Sequence, residues 1–334
     1  MQGCLMPLPI DPYQYTLKSP VSCCGTGLHS GRTVNLTIKP APVDNGIRFF
    51  RSDLAPGKHI KAHLDKVVDT RLATTLGDHS LRVSTTEHLM AALQGYGIDN
   101  ADIELDSGEI PIMDGSAEPF FEMMKKTGKK KQNGLRKILR ITKTITYNDG
   151  DKTISISPYN GFKITGEIAF DDDIIQTQKY TINLNTDRFD KEIARARTFG
   201  YVEQVEELWA NGLALGGTLE NVIAIHWNRK SVLNEDGLRF EDEFIRHKVL
   251  DLIGDLALLG CSVLGHVNAY KTGHTQHFAF MQALAESPES WEIVKMKKNG
   301  AYSVLEQVMS TTKAAGDILG PLFHYKPAML PTSA

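Results

Sequence analysis

The chain has 334 residues, of which 41% are hydrophobic and 23% charged, with a formal net charge of −3. That length suits two ordinary domains with buried cores, and the balance of charge excludes a protein drawn by bulk electrostatics to nucleic acid or anionic membrane. Cys4, Cys23, Cys24 and Cys261 include one adjacent pair and no C-x-x-C spacing, so neither a zinc ribbon nor a disulfide scaffold is expected.

In chain order, residues 1–15 lack the basic start and apolar core of a signal peptide and read as an N-terminal extension. The first α+β unit, residues 16–126, opens with "RTVNLTIKPAPVDNGIRFF", two alternating runs broken at Pro and Asn-Gly, which reads as a hairpin. A helix "STTEHLMAALQGYGI" and a short strand "NADIEL" follow. "KKTGKKKQNGLRK" is basic and carries no aromatics, so residues 127–136 read as a solvated linker rather than a nucleic-acid patch. Residues 137–310 repeat the order of elements: a hairpin reading in "DKTISISPYNGFKITGEIAF", a helix in "FIRHKVLDLIGDLALLG", a strand in "GHVNAY". An internal duplication is expected, with an apolar insert at about 201–225 whose helix, with Val202, Val205, Leu208 and Trp209 at helical spacing, stops at Gly212, and a C-terminal segment over 311–334. The run "LALLGCSVLG" is about half the roughly 20 residues a membrane helix needs, so a cytoplasmic protein with at most transient membrane contact is expected.

The second helix carries the chemistry. Phe244, Val249, Leu252, Ile253 and Leu256 form its apolar side, while His247, Asp251 and Asp255 recur every four residues on one polar stripe. Buried carboxylates need partners. A lysine or arginine elsewhere is the ordinary one, but a histidine and an aspartate one turn apart are also explained by a shared cation. In the first helix Glu87 precedes His88. Ser84 with Glu87 fits a capping box, and Glu-His also furnishes hydrolytic metal sites, where the histidine binds metal and the glutamate takes a proton from the attacking water. His88, His247 and Asp251 make three ligands with an open fourth position, the pattern of catalytic zinc, with Fe(II) as an alternative occupant. Asp255, spare on the stripe, is placed to hold His274 of "YKTGH" as a charged proton donor.

These segments, with "GTGLHSG", "EIPIMDGSAEPF", "RARTFG" and "LNEDGLRFEDEF", together resemble the zinc-dependent UDP-3-O-acyl-N-acetylglucosamine deacetylases of lipid A synthesis, in order and spacing from about residue 16 onward. The resemblance implies two similar α+β domains, each a helix pair packed on a β-sheet (a β-α-α-β sandwich with small inserts), and an active site in the interdomain cleft. It implies one zinc per chain on His88, His247 and Asp251, Glu87 as general base, His274 as general acid supported by Asp255, Thr198 as an oxyanion donor and Lys248 as a substrate contact. The acyl chain is expected in a passage lined by Phe199, Val205, Ala214, Gly217, Thr218 and Val222 with Leu72 at its mouth. Lys152, Phe170 and Lys271 are expected at the uridine diphosphate. Gln204, where some members carry an acid, and the basic Arg71 beside Leu72 depart from the pattern. A monomer acting on a small-molecule substrate, without nucleic acid, is expected. Two alternatives stay open: a lipid or nucleotide-sugar binding protein with a structural metal, for which His274 is the evident fourth ligand, and a metal-free enzyme whose carboxylates sit in ion pairs.

Overall fold

The computed structural model describes residues 10–54, 56–297 and 302–304; the expected C-terminal segment over 311–334 and residues 1–9 of the extension lie outside them. The first half contains β1 (Tyr13–Leu17), β2 (Val21–Thr26), β3 (Thr33–Pro40), β4 (Ile47–Arg51), β5 (His59–Lys61), α1 (Glu87–Tyr96), β6 (Ala101–Leu105) and α2 (Glu118–Thr127). After β7 (Lys129–Leu135), the second half contains β8 (Ile145–Asp149), β9 (Lys152–Ser157), β10 (Phe162–Ala169), β11 (Thr177–Asn183), α3 (Glu243–Leu256), β12 (Ser262–Tyr270) and α4 (His274–Ala285).

Both hairpin readings are corrected in the same way. β3 and β4 are strands, as their alternation requires, yet β6 lies between them, with Ile103 opposite Ile38 in an antiparallel pair and opposite Phe49 in a parallel one. β12 likewise separates β9 from β10, with Val267 opposite Ile156 and Ile164. Alternation identifies a strand but not its neighbour. In each half the helix carries the chain back to a slot parallel to β4 or to β10. The resulting orders, β2-β3-β6-β4-β5 and β8-β9-β12-β10-β11, match element for element. The structure thus has two α+β units of one topology, the expected fold class.

The solvated linker is also corrected. Its central part is β7, antiparallel to β1 with Leu17 opposite Lys129, so a strand also begins inside the supposed extension. Lys129 Nζ donates to the Tyr96 carbonyl at 2.6 Å and lies 5.0 Å from the Tyr15 ring centroid and 4.8 Å from that of Tyr96. Arg136 donates to the Gly97 carbonyl and to both oxygens of Asp99. Cations belong at the carbonyl end of α1, where the helix dipole is negative, and that end orders the basic run.

α1 packs on α2 and on α3, and α3 on α4. Every α1 residue except Gln94 is buried. α1 and α3 touch backbone to backbone: a Cβ on Gly254 would lie 2.0 Å from the Glu87 carbonyl oxygen, so only glycine permits the approach. Among the described residues no helix is long and apolar enough to cross a membrane.

Candidate active site

His247, Asp251 and Asp255 project from one face of α3 as their spacing requires, but that face is not solvated. The three are 2%, 2% and 1% exposed, turned toward the first residues of α1 and α4. The apolar residues expected on the other side of the helix are buried as well.

His88, His247 and Asp251 come together, each with a ligand atom within 4.8 Å of the others. Asp251 Oδ1 lies 3.3 Å from His247 Nε2 and 3.6 Å from His88 Nε2. It is buried and has no hydrogen-bond partner. His247 Nδ1 donates to the Ala196 carbonyl at 3.1 Å, which leaves Nε2 as a lone pair. Burial pushes the His247 imidazole down to about 3, against the pull of Asp251, so it is neutral. Two acceptors thus face each other without a proton between them, an arrangement that calls for a cation. Ligands bound at about 2.0–2.1 Å in a tetrahedron are about 3.3–3.4 Å apart, close to the observed edges. Lys248 Nζ holds the other oxygen, Oδ2, at 2.9 Å, so the ordinary ion pair satisfies only half of Asp251. Burial opposes ionisation of Asp251, but the Lys248 ammonium outweighs it and holds the carboxyl well below its usual range.

Asp255, His274 and His277 form a second cluster of different character. Both Nδ1 atoms lie 2.7 Å from the same oxygen, Asp255 Oδ2. That is a direct hydrogen bond, too short for an edge around a metal. His277 Nε2 faces the Thr272 hydroxyl at 3.0 Å, and burial lowers the pKa of its ring, so it is neutral and donates through Nδ1. His274 behaves oppositely. Burial and the N-terminal end of α4 disfavour its charge, yet Asp255, and then Glu87, raise it to about 10. Its Nε2 lies 3.7 Å from Glu87 Oε1.

The capping-box reading of Glu87 fails. α1 begins at Glu87, so Ser84 is outside the cap, and its hydroxyl donates to the Gly108 carbonyl. Glu87 instead accepts the Thr74 N–H at 3.0 Å through Oε2, and burial raises its pKa above the ordinary carboxyl value.

The other predicted residues divide. The Thr198 N–H donates to the Gly115 carbonyl at 2.8 Å, two residues beyond the Ala196 carbonyl that orients His247. The Phe199 ring centroid is 6.3 Å from that of His247 and 5.5 Å from Lys248 Nζ, and Phe170 lies edge-on to Phe199 at 6.3 Å. Ala214, Gly217 and Val222 sit together near Leu28. Thr218 accepts the Val222 N–H at 3.0 Å. Val205 starts the short helix Val205–Ala210, none of whose residues is buried, and Trp209, expected on its apolar side, is 54% exposed. Leu72 is exposed in a left-handed turn at φ 61°. Lys271 is paired with Asp151 at 2.9 Å, and Lys152 lies on the adjacent strand β9.

Sequence reasoning missed Thr74, His277 and the pair Arg197–Glu243. His277 had a readable signal, three residues after His274 on the same helix face. Arg197 and Glu243 are buried and joined at 2.9 Å, and they pin the segment that carries Ala196 and Thr198. Thr74 had no signal, since it reaches Asp255 across 181 residues of sequence.

Fold and site together define an α+β protein with a buried His-His-Asp set, which among the described residues no other histidine, cysteine or acid joins. The sequence comparisons agree. Residues 14–286 match the family described as UDP-3-O-acyl N-acetylglycosamine deacetylase (LpxC). A UDP-3-O-acyl-N-acetylglucosamine deacetylase of Syntrophotalea carbinolica is 48% identical over 88% of this chain and 94% of its own. Those of Teredinibacter turnerae and Myxococcus xanthus are 46% and 48% identical over 84% and 85% of this chain, and 93% and 90% of their own. The chain belongs to this deacetylase family, whose members are hydrolytic enzymes acting on an amide.

Proposed function

We propose that the chain hydrolyses the N-acetyl amide of UDP-3-O-(3-hydroxyacyl)-N-acetylglucosamine in a zinc-dependent reaction of lipid A biosynthesis in the cytoplasm. The products are acetate and UDP-3-O-(3-hydroxyacyl)-glucosamine. The observation that carries this reading is Asp251 Oδ1, a buried, unpartnered carboxylate oxygen facing two imidazole nitrogens at 3.3 and 3.6 Å. His88, His247 and Asp251 would hold the ion, and imidazole with carboxylate suits zinc. Bound there, the ion supplies Lewis-acid polarisation of the amide carbonyl and a more acidic water.

The protein's own groups do the rest. Glu87 has one oxygen fixed by the Thr74 N–H, so Oε1 is free to take a proton as water adds to the carbonyl carbon. His274 carries its mobile proton on Nε2, because Nδ1 is committed to Asp255. As the C–N bond breaks, that proton passes to the leaving nitrogen. Thr198 serves as an oxyanion donor, and removing one such donor typically costs about 2.7–4 kcal/mol. Lys248 fixes Asp251 Oδ2 as well as facing the substrate. The two split-sheet halves act as the domains that share the site. Phe199, Ala214, Gly217, Val222 and their neighbours take the acyl chain, and Lys152, Phe170 and Lys271 the nucleotide, Lys271 by exchanging Asp151 for phosphate.

The test is acetate release from the acylated UDP-sugar before and after chelation. Activity is expected to vanish on chelation and return with one equivalent of zinc, and His88→Ala and Asp251→Ala should be inactive. Full-rate deacetylation by the metal-free protein would sink the reading.

A further inference from the structure

We propose that Thr74 is a positioning residue that locks the proton-accepting and proton-donating halves of the site to each other; this rests on the roles given above to Glu87 and His274. Every polar atom of Thr74 is engaged. Its N–H donates to Glu87 Oε2 at 3.0 Å. Its hydroxyl donates to Asp255 Oδ1 at 2.6 Å and lies 3.2 Å from His274 Nδ1. Its carbonyl accepts the N–H and the hydroxyl of Thr86, the residue before α1, at 3.2 and 3.1 Å. Thr74 is 3% exposed and follows the left-handed turn at Leu72 that tucks the segment inward.

The consequence is geometric. Glu87 belongs to α1 and Asp255 to α3, and Thr74 holds both. With Oε2 fixed, the Glu87 carboxylate can rotate little, and Oε1 is aimed at His274 Nε2, 3.7 Å away. With Oδ1 of Asp255 occupied by the hydroxyl, Oδ2 is left to the two histidine Nδ1 atoms. The tautomer and the ring plane of His274 follow from that division. The gap between base and acid is therefore set by a residue that touches neither the water nor the amide.

Thr74→Val tests this, since valine keeps the shape and the N–H to Glu87 while deleting the hydroxyl. In the zinc-loaded enzyme, kcat is expected to fall roughly ten- to a hundredfold, the range of a lost hydrogen bond to a charged group. KM and metal stoichiometry should stay near the wild type, the thermal midpoint should fall modestly because Asp255 Oδ1 loses its donor, and Thr74→Ser should restore most of kcat. If the valine variant does not fold, Thr74→Ala is measured against Thr74→Ser instead. An unchanged kcat overturns the proposal, as does a loss that tracks lost metal or lost folding. Glu87→Gln and His274→Ala are measured alongside. If both are inactive while Thr74→Val is normal, only the positioning role fails. If both are active, the catalytic assignment fails first.

Discussion

Gly254→Ala adds one methyl group, and its effect can be worked from the contact it meets. The new Cβ would lie 2.0 Å from the carbonyl oxygen of Glu87, 2.7 Å from its carbonyl carbon and 3.0 Å from its Cα. All three are backbone atoms, so no side-chain rotation relieves the clash. A comfortable C···O contact is about 3.3–3.6 Å, so α1 and α3 must part locally by more than about 1 Å. Gly254 lies between Asp251 and Asp255, and the carbonyl it meets joins Glu87 to His88. The movement therefore lengthens the 3.6 Å separation of His88 and Asp251 and the 3.7 Å separation of Glu87 and His274. Overpacking costs about 1–3 kcal/mol, and the better helix propensity of alanine returns up to about 1 kcal/mol. The chain should still fold, with a net loss of about 0–3 kcal/mol. Activity should suffer far more, since a misplacement of about 1 Å costs about a hundredfold in rate. The assay is kcat for acetate release, with bound metal and the thermal midpoint measured on the same sample. Wild-type rate and metal content in the alanine variant would refute the claim that this contact sets the site.

Arg197→Met leaves Glu243 buried without its cation and should destabilise the chain by about 3–5 kcal/mol; pairing it with Glu243→Gln should recover part of the loss in denaturant melts. Lys129→Met removes the donor to the Tyr96 carbonyl and should lower stability by about 1 kcal/mol or less while leaving acetate release unchanged, because it acts at the far end of α1. In the metal-free chain, His274 is raised from 6.5 to about 10. Its stabilising contribution is complete below about pH 6.5 and is lost as pH rises through about 10, so the stability gap between wild type and His274→Gln should close over that window.

The grouping of His247, Asp251 and Asp255 was legible because helical period places them on one face, and local order sets Glu87 beside His88. What the sequence concealed was adjacency. β6 enters between β3 and β4 from 50 residues further on, and alternation along a strand carries no record of which strand lies beside it. Lys129 looked solvated because charge runs usually are, and its partners, the Tyr96 carbonyl and two tyrosine rings, belong to distant elements. The exposure of Trp209 shows the converse error: helical spacing predicts an apolar face, but not that anything in the chain will cover it.

The matching topology of the halves also explains why the site lies at their junction. In each, a helix precedes the central strand of the split sheet, so α1 and α3 occupy equivalent places and pack on each other. Neither helix carries a complete site: α1 contributes Glu87 and His88, and α3 contributes His247, Asp251 and Asp255. Asp251 Oδ1 is buried without a protein donor, a cost that a bound cation would offset, and the two imidazoles beside it come one from each half. A cation held there would therefore stabilise the α1–α3 contact and be stabilised by it, since whatever binds only the assembled pair favours assembly. The second cluster repeats the logic without metal. His274 keeps its charge through Asp255, and Thr74 from the first half holds that aspartate in place. The His88–His247–Asp251 cluster and the Thr74–Asp255–His274 cluster each bridge the two halves, so the junction cannot loosen without disturbing both.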